Sequence, residues 1–305
     1  MKVAYLIIAH DQPEHLHRLV HALDADWAHC FVHVDAKRDI GPFQEGLDSP
    51  RVHFLDDRVS VQHSGFSLTR SMIRLLKSAA AQGDFDYYQF LSGSDYPIKP
   101  LSQIYHHLTE GWPQNYINFY PLIEGANLAR NIQKFYFMDF IRARRQPVKG
   151  LLSIGQRGLH AVTPRRRFVP GFTPYRGSQW FCLNRDTVRW VLAFLDSSQC
   201  KRYCRFFKYA KASDEIFFHT LVLNSPFAPQ CRFYQRDVVE AAVPLKNENK
   251  AYLHYVDWDP SRPRKTLLGL ADLPALKATE ALYARKFDAG YSADLLDAID
   301  AALLG

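Results

Sequence analysis

Two groups of residues in this chain have the types and spacing to act on a ligand: acids set before an apolar helix, and cations set after strands. Ser213-Asp214-Glu215 precedes Ile216, Phe217, Phe218, Leu221 and Val222, which predicts a helix with Ser213 as its N-cap and both acids in its first turn. Acids there are stabilised by the helix dipole by roughly 0.3–1 kcal/mol, which accounts for them without any ligand. The same place suits a general base, a carboxylate on a rigid helix end that takes a proton from an attacking hydroxyl. Periodicity leaves both readings open.

The cations are Arg262, Arg264 and Lys265 in DWDPSRPRKTLL, and Arg285 and Lys286 in LYARKFDAG. Arginine offers a forked contact and lysine a point charge, so the group suits a diphosphate, with plain surface solvation as the competing account. Three acid-any-acid strings occur, Asp24 with Asp26, Asp84 with Asp86, and Asp257 with Asp259. Only the last follows an expected strand, which keeps it as a candidate divalent-cation site. Asp95 is a single acid in DYYQFLSGSDYPIKP, where an aromatic strand ends at Ser92-Gly93-Ser94. It is either an Asx cap of a turn or an acid held at the ligand edge of an open α/β sheet.

Elements able to position these groups can be read from the start of the chain. Val3 to Ala9 reads as a buried strand ending at His10, and Pro13, Glu14, Leu16, Leu19, Val20 and Leu23 as an amphipathic helix. Short strands are expected at Phe31 to Val34 and Val52 to Leu55, then a helix from Ser64-Gly65 to about Gln82, then the strand at Tyr87. Strands alternating with helices predict a mostly parallel, doubly wound sheet over the first hundred residues. Beyond Pro100 we expect a strand at Ile117 to Tyr120, an aromatic-rich helix from Asn127 to Phe140, and a strand within Gly177 to Asp186. Helices follow at Val188 to Leu195 and around Cys204 and Ile216, then a strand at Tyr252 to Val256 and a last helix capped by Ser292. Arg142 to Arg167 carries RARRQPVKG and PRRRF and reads as a long, basic, mobile loop, either a solvated linker or a flap over an anion.

Composition sets the outer bounds. The chain has 305 residues, 47% of them hydrophobic and 23% charged, enough for a large globular core. Its net charge of +7 points to an anionic partner. Five cysteines, Cys30, Cys182, Cys200, Cys204 and Cys231, show no metal-ligand spacing and favour a reducing compartment over a disulfide framework. No segment reaches the roughly 18 apolar residues of a membrane span.

Taken in order, IIAH, VHVDAK, LSGSDYPI, GSQWFCL, SDE, YVDW, PRKTL and ARKFD resemble the core 2 and I-branching β-1,6-N-acetylglucosaminyltransferases, glycosyltransferase family 14, which also holds the peptide O-xylosyltransferases. The likeness runs from about Val3 to Asp288. It implies an α/β, GT-A type Rossmann-like fold with a mostly parallel central sheet flanked by helices. One glycosyltransferase domain, 1–305, is then expected, with 1–120 as the nucleotide-sugar-binding half and 121–305 as the acceptor-binding and catalytic half.

The resemblance implies inverting transfer from a UDP-sugar, GlcNAc or xylose, to a hydroxyl of a glycan, with no metal or other cofactor. Glu215 then corresponds to the catalytic base, and Arg264 and Lys286 to the cations on the leaving diphosphate. His10, Asp35 and Asp95 match the nucleotide end of the site, and Gln179, Trp180 and Trp258 the acceptor side. Animal members carry a membrane anchor and several disulfides, so this chain is expected to be a bacterial, cytoplasmic enzyme acting on a lipid-linked or surface-polysaccharide acceptor. The basic stretch 142–167 is then a candidate for peripheral contact with the inner face of the membrane. From a different class, the same stretch with Phe135, Tyr136, Phe137 and Phe168 is a candidate nucleic-acid surface on a non-enzymatic α/β protein. The glycosyltransferase reading expects no nucleic acid.

Overall fold

The computed structural model describes every residue except 123–128, 140–145, 233, 235–252, 260, 262, 263, 265 and 305. Strand β1 (Val3–Ala9) leads to helix α1 (Pro13–Ala22), β2 (Ala28–Val34), the short α2 (Gly41–Gln44), β3 (Val52–Phe54), α3 (Phe66–Gln82) and β4 (Tyr87–Ser92). The next elements are β5 (Asp95–Pro97), α4 (Leu101–Glu110), β6 (Tyr120–Pro121), α5 (Arg130–Gln133) and α6 (Gln146–Val162). After them come β7 (Tyr175–Arg176), β8 (Cys182–Asn184), α7 (Arg185–Asp196), α8 (Ser198–Phe207) and α9 (Phe217–Leu223). The chain closes with β9 (His254–Val256), α10 (Leu273–Ala278), β10 (Tyr283–Arg285) and α11 (Ala293–Ile299).

The main sheet has the order β3-β2-β1-β4-β8. Its first four strands are parallel and β8 runs antiparallel to β4. Every residue of β1 is buried, because both faces of the sheet are covered. Val3, Tyr5, Ile7 and Ala9 pack with Leu16, Leu19 and Val20 of α1, while Ala4, Leu6 and Ile8 pack with Met72, Leu75 and Leu76 of α3. A continuous apolar strand between two amphipathic helices is therefore what the sequence pattern demanded. A second sheet, β5-β10-β9, stands beyond the end of β4. Both sheets join strands from either side of residue 120, through β4 with β8 and β5 with β10.

Four expectations need correction. Most of the stretch read as a mobile basic loop is α6, whose Pro147 sits in the first turn, where a missing N–H costs nothing. Its carboxy-terminal end is tied down by Lys134, whose ammonium donates to the carbonyls of His160 (2.7 Å) and Thr163 (3.2 Å). Arg142 to Arg145 lie outside the described residues. The helix expected from Asn127 to Phe140 shrinks to α5, with 127, 128 and 140 also outside. There Tyr136 N–H donates to the Tyr209 carbonyl (2.9 Å) and the rings of Phe135 and Phe137 pack on Tyr209, so cross-chain contacts displace the helical ladder. The strand expected at Ile117 to Tyr120 is reduced to Tyr120–Pro121, with one bridge from Tyr116 to Cys182. Ser292 precedes α11 without capping it, because its hydroxyl donates to the Leu268 carbonyl (2.7 Å). Tyr252 lies outside the described residues. Cys200 and Cys204 are neighbours on α8, with sulfurs 3.0 Å apart.

Candidate active site

Three loops emerge side by side at the carboxyl edge of the parallel strands. Register aligns Ala9 with Val34 and Ile8 with Ser92, so His10, Asp35 and the Ser92 to Asp95 turn step across one edge. Gly93 packs closely there: its N–H donates to the Ile8 carbonyl (2.8 Å), and a Cβ would lie 3.1 Å from that of Ala9, a tight contact. His10 is exposed beside Asp11. Asp35 is 6% exposed; its carboxylate accepts from the N–H of Lys37 (3.0 Å) and Val61 (3.3 Å) and pairs with the Lys37 ammonium (3.1 Å).

Asp95 has no exposed surface. Its oxygens take the N–H (2.8 Å) and hydroxyl (2.5 Å) of Ser92, and lie 3.3 Å from both the His254 Nε2 and the Arg285 Nε. Burial raises its pKa, but Arg285, then His254 and Ser92, outweigh that and hold the carboxyl below its ordinary value. Burial lowers the pKa of His254 against the pull of Asp95. Asp95 is thus a buried support beneath Arg285. The guanidinium of Arg285 lies over the Trp180 ring, 4.2 Å from its centre, and Trp180 is itself buried, with the half-buried Gln179 beside it.

Lys286, the next residue, is exposed. Desolvation and Arg285 lower its pKa, with Asp95 and Asp11 pulling the other way, so all four charges share one neighbourhood. Its backbone N–H donates to the Thr266 carbonyl (2.8 Å) and its carbonyl accepts from Leu268 (2.9 Å). The segment carrying Arg264 therefore runs alongside, and the exposed Arg264 guanidinium lies 4.5 Å from the centre of the Tyr291 ring. Arg262 and Lys265 fall outside the described residues.

Glu215 stands on a separate segment. Ser213–Glu215 is a single 3-10 turn, and the helix after it is capped at Ile216, which corrects the N-cap expected at Ser213. The Ser213 hydroxyl is taken by α3 instead, 2.8 Å from the Thr69 hydroxyl and donating to the Gly65 carbonyl (3.3 Å). Glu215 pairs with Arg176 of β7; their side chains are 33% and 12% exposed. Burial raises the Glu215 pKa, and Arg176 and His63 oppose that rise. Asp214, behind it, is pushed up to about 7 by burial and then by Glu215, and one of its oxygens is buried without a hydrogen bond. Gly177 N–H donates to the Glu215 carbonyl (2.9 Å), at a position where a Cβ would strike the Asn118 carbonyl at 1.9 Å. Four residues, Gly177 to Trp180, thus run from the Glu215 backbone to the Arg285 guanidinium.

The other predicted groups are exposed or serve locally. Trp258 is 60% exposed just past β9. Asp257 and Asp259 accept from the N–H groups of Asp259 and Ser261, both at 2.9 Å, as local turns. Among the described residues no group of three or more His, Cys, Asp or Glu could hold a metal ion. Asp24 and Asp26 pair with Arg51, Asp84 with Arg189 and Asp86 with Arg185, all beside the amino ends of the strands. Sequence reasoning missed Arg176, His254 and His63; only the position of Arg176, directly before GSQW, offered a signal.

A model of the Core-2/I-Branching enzyme family matches residues 3–276. Rat (Rattus norvegicus) xylosyltransferase 1 is 24% identical over 319 residues, covering 100% of this chain and 36% of that protein. Rat xylosyltransferase 2 is 23% identical over 323 residues, with 100% and 34% covered. The chain thus spans about a third of the length of these curated relatives. The crystal structure of mouse xyloside xylosyltransferase 1 in its apo form is a distant likeness, with 11% identity, a TM-score of 0.32, and 73% of this chain and 83% of that one covered.

Proposed function

Because this chain belongs to the Core-2/I-Branching enzyme family, a family of glycosyltransferases, we propose that it transfers a sugar from a nucleotide-sugar donor to a glycan or glycoconjugate hydroxyl. The donor in this reading is a UDP-sugar carrying xylose or GlcNAc, and the acceptor a lipid-linked or surface-polysaccharide glycan at the cytoplasmic face of the membrane. The observation that supports it is the Gly177 to Trp180 segment, whose first residue bonds the Glu215 backbone carbonyl and whose last lies under the Arg285 guanidinium at the end of β10.

The reaction is a single displacement. The acceptor oxygen attacks the anomeric carbon while Glu215 removes its proton, and the bond from that carbon to the UDP oxygen breaks on the opposite face, inverting the centre. Burial keeps Glu215 basic, and Arg176 keeps it ionised. Lys286 and Arg264 balance the charge that gathers on the departing diphosphate, so two fixed cations take the electrostatic role of a metal ion. His10 and Asp35 stand at the nucleotide end, and Asp95 acts one step back by holding Arg285. Trp258 offers its exposed ring to the acceptor sugar.

The test is Glu215→Gln, which keeps the shape and removes the base. Transfer is expected to fall by about 10²–10⁴-fold with UDP affinity unchanged, read by UDP release with acceptor and by calorimetry with UDP. Turnover within tenfold of the parent would remove Glu215 from the mechanism.

A further inference from the structure

From Ile154 onward, the outer face of α6 is apolar where a solvated helix would be polar. Ile154 is 66% exposed and Val162 80% exposed, and Gly155, Gly158 and Ala161 lie exposed between them. These positions follow the i, i+1, i+4, i+7, i+8 spacing that marks one side of a helix, so the stripe faces outward as a unit. Isolated exposed apolar residues are ordinary, but a continuous helical stripe of them marks an interaction surface. The stripe is flanked by cations. Arg157 is exposed on the same helix, and Arg165 and Arg167 are exposed just past its end.

Arg166 clips that end to α8, with its guanidinium donating to the Phe206 (2.6 Å) and Tyr209 (2.9 Å) carbonyls and lying 3.9 Å from the centre of the Phe206 ring. Helix α8 in turn exposes Lys201, Arg202, Arg205 and Lys208, a basic stripe at the same helical spacing, while burying Cys200, Tyr203 and Phe207. No ion pair among the described residues involves any of these exposed cations, so their charge is available to an outside partner.

We propose that the outer face of α6, with the cations of the 163–167 turn and of α8, seats the protein on an anionic lipid bilayer. An apolar stripe a few residues wide bordered by lysine and arginine is the pattern of a helix lying in the membrane interface, its aliphatic side chains below the headgroups and its cations among them. The aliphatic stripe decides against nucleic acid, which takes cations together with stacking aromatic rings and gains nothing from isoleucine and valine. The cation contacts also correct the picture of a floppy basic tether, since the charges are presented from helices and an anchored turn. This inference is independent of the transfer reaction.

The experiment is flotation of the full chain with vesicles of phosphatidylcholine alone and of phosphatidylcholine mixed with phosphatidylglycerol. Binding to the anionic vesicles only, weakening as salt is added, is expected. Ile154→Asp with Val162→Asp should lower partitioning tenfold or more, and each of Arg165→Gln and Arg167→Gln roughly fivefold, which is one cation's contribution at an anionic surface. All four side chains belong to exposed or turn positions, and unchanged thermal unfolding of the variants confirms that the fold is kept. Three results would overturn the proposal: no binding to anionic vesicles, equal binding to neutral ones, or an aspartate pair that partitions like the parent. Retention on duplex DNA that the aspartate pair leaves intact, with no vesicle binding, would reassign the cations to nucleic acid.

Discussion

Asp214 provides the sharpest test of the site's electrostatics, because its position makes stability depend on pH with a known sign. Its carboxyl is 5% exposed, and burial followed by the neighbouring Glu215 moves its pKa from 3.8 to about 7. The folded state therefore holds the proton more tightly than the unfolded state. The stabilising proton is fully present below 3.8 and is lost as pH rises through about 7. At about 1.4 kcal/mol per pH unit, the ionised carboxylate costs about 4 kcal/mol once pH is well above 7, and well under half of that near pH 5. Asp214→Asn keeps the size and removes the charge. The variant should gain on the parent by up to about 3 kcal/mol between pH 5 and pH 8.5. Urea unfolding of both proteins across that range measures the difference directly. Parallel stability curves, differing by a constant offset, would show that Asp214 is ionised in the folded protein at no cost and would refute the reasoning.

Lys286→Ala and Arg264→Ala should each weaken UDP by about 10–100-fold while leaving uridine binding nearly unchanged, since a charge-assisted contact to phosphate is worth about 1.5–3 kcal/mol and uridine has none. Calorimetry with both ligands separates the cases, and full turnover in EDTA is expected beside them. Arg176→Met removes the cation that opposes the rise in the Glu215 pKa, so the pH at which turnover falls on acidification should move up in a pH–rate profile. Asp95→Asn leaves Arg285 and His254 buried without their carboxylate and should cost about 3–5 kcal/mol in thermal or urea unfolding. The parent's Asp95 contribution is present above pH 3.8 and is lost as pH falls through the depressed folded value, so the two proteins should converge only in strong acid.

The strands and helices that carry the site were legible because their signals are local. VAYLIIA reads as a strand covered on both faces, and the spacing of Leu16, Leu19 and Val20 as a helix face turned to a core, so the parallel sheet followed from these local patterns. Where the same logic failed, a distant contact had overridden it. PRRRF looked like free charge, yet Arg166 turns inward to carbonyls of the 206–209 segment. Ser213 looked like a cap, yet its hydroxyl is held by Thr69 and Gly65.

What the amino-acid sequence determined by itself was therefore the α/β class, the strand ends at His10, Asp35 and Ser92, and the chemical types available: the Asp214-Glu215 pair, two clusters of cations and the run GSQW. Tertiary structure alone decided which of them meet. Arg176 beside Glu215, Asp95 beneath Arg285 and His254, and Trp180 under the Arg285 guanidinium are contacts between residues far apart in the chain. Periodicity reports which face of an element is buried, whereas these meetings depend on strand order and on the register of β5 and β9 against β10, which no local pattern encodes.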